Sequence, residues 1–110
     1  MSLETTRSDS AAERMSAHEA RQRLEHERDS RLEQLRAIEE SANGGQEADD
    51  LLKAQKSALQ RALKEIEAAF ERLDNGSYGT CERCSKPIPV ERLEILPYAR
   101  CCVPCQQRTG

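Results

Sequence analysis

Two Cys-x-x-Cys pairs constrain this chain more than any other feature. The first is Cys81-Glu-Arg-Cys84 and the second Cys102-Val-Pro-Cys105, with seventeen residues between them. A two-residue gap lets one tight turn aim both sulfurs at a single ion, and two such turns supply four tetrahedral thiolates. The intervening stretch is long enough for a short hairpin that returns the second turn to the first. The fold must therefore close on itself around Cys81, Cys84, Cys102 and Cys105, the expected metal ligands.

A fifth cysteine, Cys101, competes for one place. Cys102 keeps the two-residue gap to Cys105, whereas Cys101 would need three, so Cys102 is the expected ligand and Cys101 a spare, oxidisable thiol beside the site. Disulfides are the first rival to a metal. The opening residues, Met-Ser-Leu-Glu-Thr-Thr-Arg, carry no apolar signal-peptide core, which points to a reducing cytoplasm where structural disulfides are rare. Iron is the second rival, but closed four-cysteine sites of this size usually hold one structural zinc ion. Four protein thiolates leave no open position for catalysis by the metal.

Outside the cysteines the chain is poor in core-forming residues. Its 110 residues include three aromatics, Phe70, Tyr78 and Tyr98, and 34% are charged against 36% hydrophobic. That composition suits a long charged helix pair with a narrow apolar seam, stapled by a metal. The formal net charge of -3 argues against sequence-specific binding to duplex DNA. No apolar run approaches the roughly 20 residues that span a membrane.

Read in order, residues 1–10 form a tail. Two capping boxes follow, Ser10-Ala-Ala-Glu13 and Ser16-Ala-His-Glu19, either of which can start a helix. Good helix formers then run to about Glu40. The expected seam of this helix is Ala17, Arg21, Leu24, Arg28, Arg31, Leu35 and Ile38, with arginine stems lying along it. Ser41-Ala-Asn-Gly-Gly45 stops the helix. A second helix starts near Gln46 to Ala48, and acids in its first turn suit the dipole. Its seam is cleaner: Leu52, Lys56, Leu59, Leu63, Ile66, Phe70 and Leu73 alternate steps of four and three. Asp74-Asn-Gly76 ends it.

Two helices of similar length joined by a short turn pack antiparallel. The expected fold is thus mainly α: an antiparallel coiled-coil hairpin over residues 11–74, with its tip near 41–47, followed by a four-cysteine finger over 75–110. In register, Ile38 should lie near Leu52, Leu24 near Ile66 and Ala17 near Leu73. At 1.5 Å per residue, about 27 residues make a prong of roughly 40 Å, suited to reaching into a cleft rather than enclosing a substrate. Ile88, Val90, Leu93, Ile95 and Leu96 are the expected small core around the metal.

No catalytic constellation is present, so the expectation is a protein that is not an enzyme. His18 and His26 are eight apart on a charged helix without a nearby cysteine or aligned acid, as surface histidines are. There is no phosphate-binding glycine loop and no nucleophile elbow.

At the finger the sequence resembles the DksA/TraR family of bacterial transcription regulators. Cys81-Glu-x-Cys84 is followed after three residues by Ile88, after three more by Arg92, after four by Pro97 and after four by Cys102-x-x-Cys105. The preceding Asn-Gly-Ser-Tyr-Gly-Thr is also of the family kind, and the helix pair has the family's order. The resemblance implies direct binding to RNA polymerase, with the coiled-coil tip entering the secondary channel toward the catalytic magnesium to modulate initiation. Some members act together with the alarmone ppGpp. Two departures stand out. The family's Asp-x-x-Asp-x-Ala tip motif is absent, leaving Glu39, Glu40, Glu47, Asp49 and Asp50 as the acids near the tip. The sequence also ends soon after Cys105, where longer members continue as a helix that contributes to the alarmone response, so ppGpp is the partner implied least directly.

Two other functions compete. A zinc-stapled coiled-coil adaptor that does not act on polymerase would expose an apolar stripe along the helix pair. A nucleic-acid-binding zinc ribbon would gather Arg83, Lys86, Arg92, Arg100 and Arg108 into one basic patch, against the overall acidity.

Overall fold

A computed structural model describes residues 15–41 and 46–109; the side chains of residues 46–49 and 109 lie outside that description. So do the Ser10 capping box, the tip turn, and the carboxylates of Glu47 and Asp49.

Helix α1 spans Ala17–Glu40 and begins at the second capping box, where the Ser16 hydroxyl oxygen accepts from the Glu19 amide at 3.0 Å. Substituting such a cap by alanine costs about 1 kcal/mol. It ends at Ser41, whose amide donates to the carbonyls of Ala37 and Ile38. Helix α2, Gln46–Asn75, runs back antiparallel. Gly76 follows it at φ 84°, in the left-handed region that favours glycine. The carbonyl of Arg72 accepts from the amides of both Ser77 and Tyr78, closing the last turn. Two short helices complete the chain, α3 (Val90–Ile95) and α4 (Val103–Thr109). Among the described residues the only β-pairing is one antiparallel bridge, Thr80 to Pro87. The molecule measures 65 × 29 × 23 Å, a prong with a head at one end.

The α2 seam is as its heptad requires: Leu59 and Ile66 are buried, while Leu52, Lys56, Leu63, Phe70 and Leu73 are half-buried. Leu24 of α1 packs with Ile66 and Ala69, and all three are fully enclosed. Each large aliphatic chain buried this way contributes about 1.5–3 kcal/mol. Arg21 and Arg28 lie along the seam as the sequence suggested, with their guanidinium carbons 5.9 and 5.1 Å from the centre of the Phe70 ring. Both use the ring as a cation–π surface where a purely apolar seam would have a leucine.

One seam position differs. Ala17 is exposed and Ala20 is fully buried. The Arg21–Asp74 ion pair, 3.2 Å, sets residue 21 beside residue 74. Ala17, a turn earlier, therefore lies past the end of α2, which stops at Asn75.

Candidate metal centre

The first cysteine pair sits on a turn closed by backbone bonds. The Cys81 amide donates to Lys86 O at 2.8 Å, and the Ser85 amide donates back to Cys81 O at 2.9 Å. The reversal forces Ser85 to φ 65°, a conformation that costs a residue with a Cβ about 1–2 kcal/mol. The second pair sits at the start of α4, where Cys102 O accepts from the Gln106 amide and Cys105 falls in the first turn. The Glu82 amide donates to Arg100 O at 2.9 Å, which ties the two turns together.

These turns bring the sulfurs of Cys81, Cys84, Cys102 and Cys105 within 4.8 Å of one another. The Sγ atoms of Cys84 and Cys102 are 3.7 Å apart, and none of the five cysteines is in a disulfide. A tetrahedral ion with metal–sulfur bonds of about 2.3 Å places its ligands about 3.8 Å apart. The spacing therefore fits one zinc ion and is far too long for an S–S bond. Cys101 is buried beside them in the finger core and is not one of the four grouped sulfurs.

The sulfurs differ in acidity, for stated reasons. The backbone amide of Cys84, helped by those of Cys102 and Arg83, donates toward the Cys81 sulfur and pulls its pKa to about 5 against the opposing effect of burial. The Cys105 thiol is pushed up to about 12, first by its hydrogen bond to the Cys102 sulfur and then by burial. Burial, and then the charge of Cys81, hold Cys101 above its ordinary value. Without a cation the cluster keeps one ready thiolate and one tightly held proton. A divalent ion supplies the charge that lets the remaining protons leave.

The other residues of the cysteine motif have visible work. Ile88 and Leu93 are 2% and 3% exposed, forming the wall behind Cys81 and Cys105. Arg92 Nε donates to Cys101 O at 3.0 Å and so holds α3 against the second turn. Pro97 is buried, and its carbonyl accepts from the Tyr78 hydroxyl at 2.7 Å. Of the expected core, Leu96 and Val90 are half-buried, but Ile95 is 83% exposed. Residues 90–95 are helical, and two helical steps from buried Leu93 turn a side chain about 200°, toward solvent.

The remaining sequence candidates are either exposed or engaged with other groups of the fold. Arg83, Lys86 and Arg108 are exposed, Arg100 pairs with Glu65 at 3.9 Å, and Arg92 is spent within the finger. At the tip, Glu40 and Asp50 are exposed, and Glu39 approaches Lys56 Nζ at 3.6 Å across the hairpin. Among the described residues no helix is long and apolar enough to cross a membrane.

Sequence reasoning missed Arg72. It is 7% exposed, the one buried charged residue among those described. Its Nη2 donates to Tyr98 O and Ala99 O at 3.3 and 3.5 Å, and Nη1 lies 3.8 Å from the Glu82 carboxylate. The only available signal was a cation three residues before the helix-ending Asn75-Gly76, which reads as a dipole partner.

Residues 76–109 match the family profile described as "Prokaryotic dksA/traR C4-type zinc finger". The chain is 46% identical over 44 residues to General stress protein 16O of Bacillus subtilis (strain 168), covering 40% of this chain and 27% of that protein. It is 40% identical over 63 residues to the RNA polymerase-binding transcription factor DksA of Caulobacter vibrioides (strain NA1000 / CB15N), covering 56% of this chain and 44% of that one. The solved structure of transcription factor DksA2 from Pseudomonas aeruginosa superposes with a TM-score of 0.55 at 27% identity, covering 81% of this chain and 74% of that one. The matched segments of three curated relatives are only 31%, 27% and 16% of their lengths. Residues 76–109 are a dksA/traR-type C4 zinc finger with one metal site, and the hairpin before it shares the DksA architecture.

Proposed function

We propose that this chain is a non-enzymatic, zinc-stabilised regulator of bacterial transcription that binds RNA polymerase directly. Cys81, Cys84, Cys102 and Cys105 are its ligands to one structural zinc ion, and the protein works in the cytoplasm. The chain divides at Asn75 into a hairpin, residues 11–74, that does the reaching and a finger, residues 75–110, that fixes the hairpin's base. The hairpin tip enters the polymerase secondary channel and alters initiation.

One observation carries this reading: a finger of the dksA/traR type stands at the base of a long antiparallel hairpin, in an architecture shared with a solved DksA2. A slim, 65 Å molecule with exposed acids at Glu40 and Asp50 suits a channel leading to a metal ion and basic groups. Glu39, Glu40, Glu47, Asp49 and Asp50 are the tip acids that would act there. Two of the finger's five basic side chains are engaged within the fold, Arg92 with Cys101 O and Arg100 with Glu65, and together with the net charge of -3 this favours polymerase over DNA as the partner. A dependence on ppGpp is a separate proposal, tested by adding the nucleotide.

The test is binding of zinc-loaded protein to core RNA polymerase of the same organism, alongside a variant carrying Glu47→Ala, Asp49→Ala and Asp50→Ala. Binding by both with altered transcription only for the parent supports tip action in the channel. Binding with equal transcription effects removes those three acids from the mechanism. No binding at micromolar concentration overturns the reading and leaves the adaptor function.

A further inference from the structure

Hairpin and finger meet at three successive carbonyls. The Tyr78 hydroxyl donates to Pro97 O at 2.7 Å, and Arg72 Nη2 donates to Tyr98 O and Ala99 O. The donors stand on either side of the junction, Arg72 on the hairpin and Tyr78 in the first residues of the finger. Arg72 is in the last turn of α2, and Tyr78 follows it closely, touching the apolar clusters of both parts. All three acceptors belong to the finger. The backbone around Arg72 is fixed as well, since its own carbonyl takes two amides from the connecting turn.

The position of these acceptors matters more than their number. Ala99 stands three residues before Cys102, and Glu82, which faces the other guanidinium nitrogen, directly follows Cys81. The Arg100 carbonyl between them accepts from the Glu82 amide. Every group that Arg72 holds is thus within a few residues of a sulfur of the metal cluster: Glu82 within the first cysteine pair, Tyr98 and Ala99 just ahead of the second. A buried guanidinium is tolerated only while its acceptors are in place. Those acceptors are ordered when both cysteine turns are closed on one ion.

We propose that Arg72 is the joint that couples metal occupancy in the finger to the direction of the hairpin. It is a positioning residue: with the metal bound, it locks the prong to the head, and with the metal gone, the prong stays helical but swings. The proposal rests on the zinc centre described above and needs no polymerase, so it fails or survives separately from the proposed function.

The experiment measures the distance between two spin labels, attached through ketone-bearing residues placed at exposed Glu33 on α1 and exposed Glu91 on α3. This chemistry spares the cysteines. Zinc-loaded parent protein should give one narrow distance. Zinc-loaded Arg72→Met, with full metal content and unchanged helical circular dichroism, should lose that narrow peak, and Arg72→Lys should restore part of it. Chelating zinc from the parent should broaden the distance in the same way while helicity persists. A narrow peak that survives in Arg72→Met or in the metal-free parent overturns the proposal. Should Arg72→Met fail to fold, the metal-free parent decides alone, and loss of its hairpin helicity also counts against the proposal.

Discussion

The neighbouring cysteines Cys101 and Cys102 give opposite expectations for one serine substitution. The Cys102 sulfur is 3.7 Å from that of Cys84, close to the edge of about 3.8 Å for a tetrahedron with 2.3 Å bonds. Cys101 is 6% exposed and faces the finger core. A structural zinc site supplies about 10–16 kcal/mol, so an even share for each of four thiolates is about 2.5–4 kcal/mol. At 1.4 kcal/mol per decade, Cys102→Ser should weaken zinc binding by roughly 60- to 700-fold. Cys101→Ser buries a hydroxyl in an apolar site, at about 1–3 kcal/mol of folding stability, with one zinc retained per chain. Competition against a chromophoric chelator reads the affinities, and substitution by cobalt reads the ligand set by its thiolate-to-metal absorption. Zinc loss in Cys101→Ser with retention in Cys102→Ser would refute the assignment and place the fourth ligand one residue earlier.

Three further outcomes are expected. Leu59→Asp puts a carboxylate at a seam position that is 9% exposed, and should cost at least about 3 kcal/mol; an unchanged helical melt would sink the seam. Zinc uptake at pH 7 should release at least the Cys105 proton, held up to about 12 in the metal-free cluster, as read by calorimetry in buffers of different ionisation enthalpy. Burial raises Tyr78 from 10 to about 12. Its contribution to stability is therefore full below pH 10 and falls as pH rises through 12. A tyrosinate titration followed by absorbance should show a late step that disappears in Tyr78→Phe.

The hairpin was legible because its information is local and periodic. Leu52 to Leu73 repeat in steps of four and three, and only one face of a helix satisfies that pattern. The stops were legible too: Ser16 before Glu19 and Asn75-Gly76 act through bonds that span a few residues. The cysteine pairs were legible because metal geometry dictates sequence spacing almost uniquely. Ala17 failed for a reason the heptad cannot contain: a seam exists only where the partner helix does, and α2 stops at Asn75.

The junction was illegible for a deeper physical reason. Arg72 and Ile95 invert the ordinary rule, one a buried charge and the other an apolar side chain left 83% exposed. Periodicity places Ile95 only after residues 90–95 are known to be helical; an extended reading puts it on the same face as Leu93. Arg72 is harder still, because its hydrogen-bond acceptors are backbone carbonyls, which every residue possesses and no sequence pattern marks. The nearest of them is 26 residues away. Its burial is stable only because the metal turns hold Tyr98, Ala99 and Glu82 in reach, so no local rule could have assigned it. The part of this molecule least visible in sequence is the part through which the finger can act on the prong.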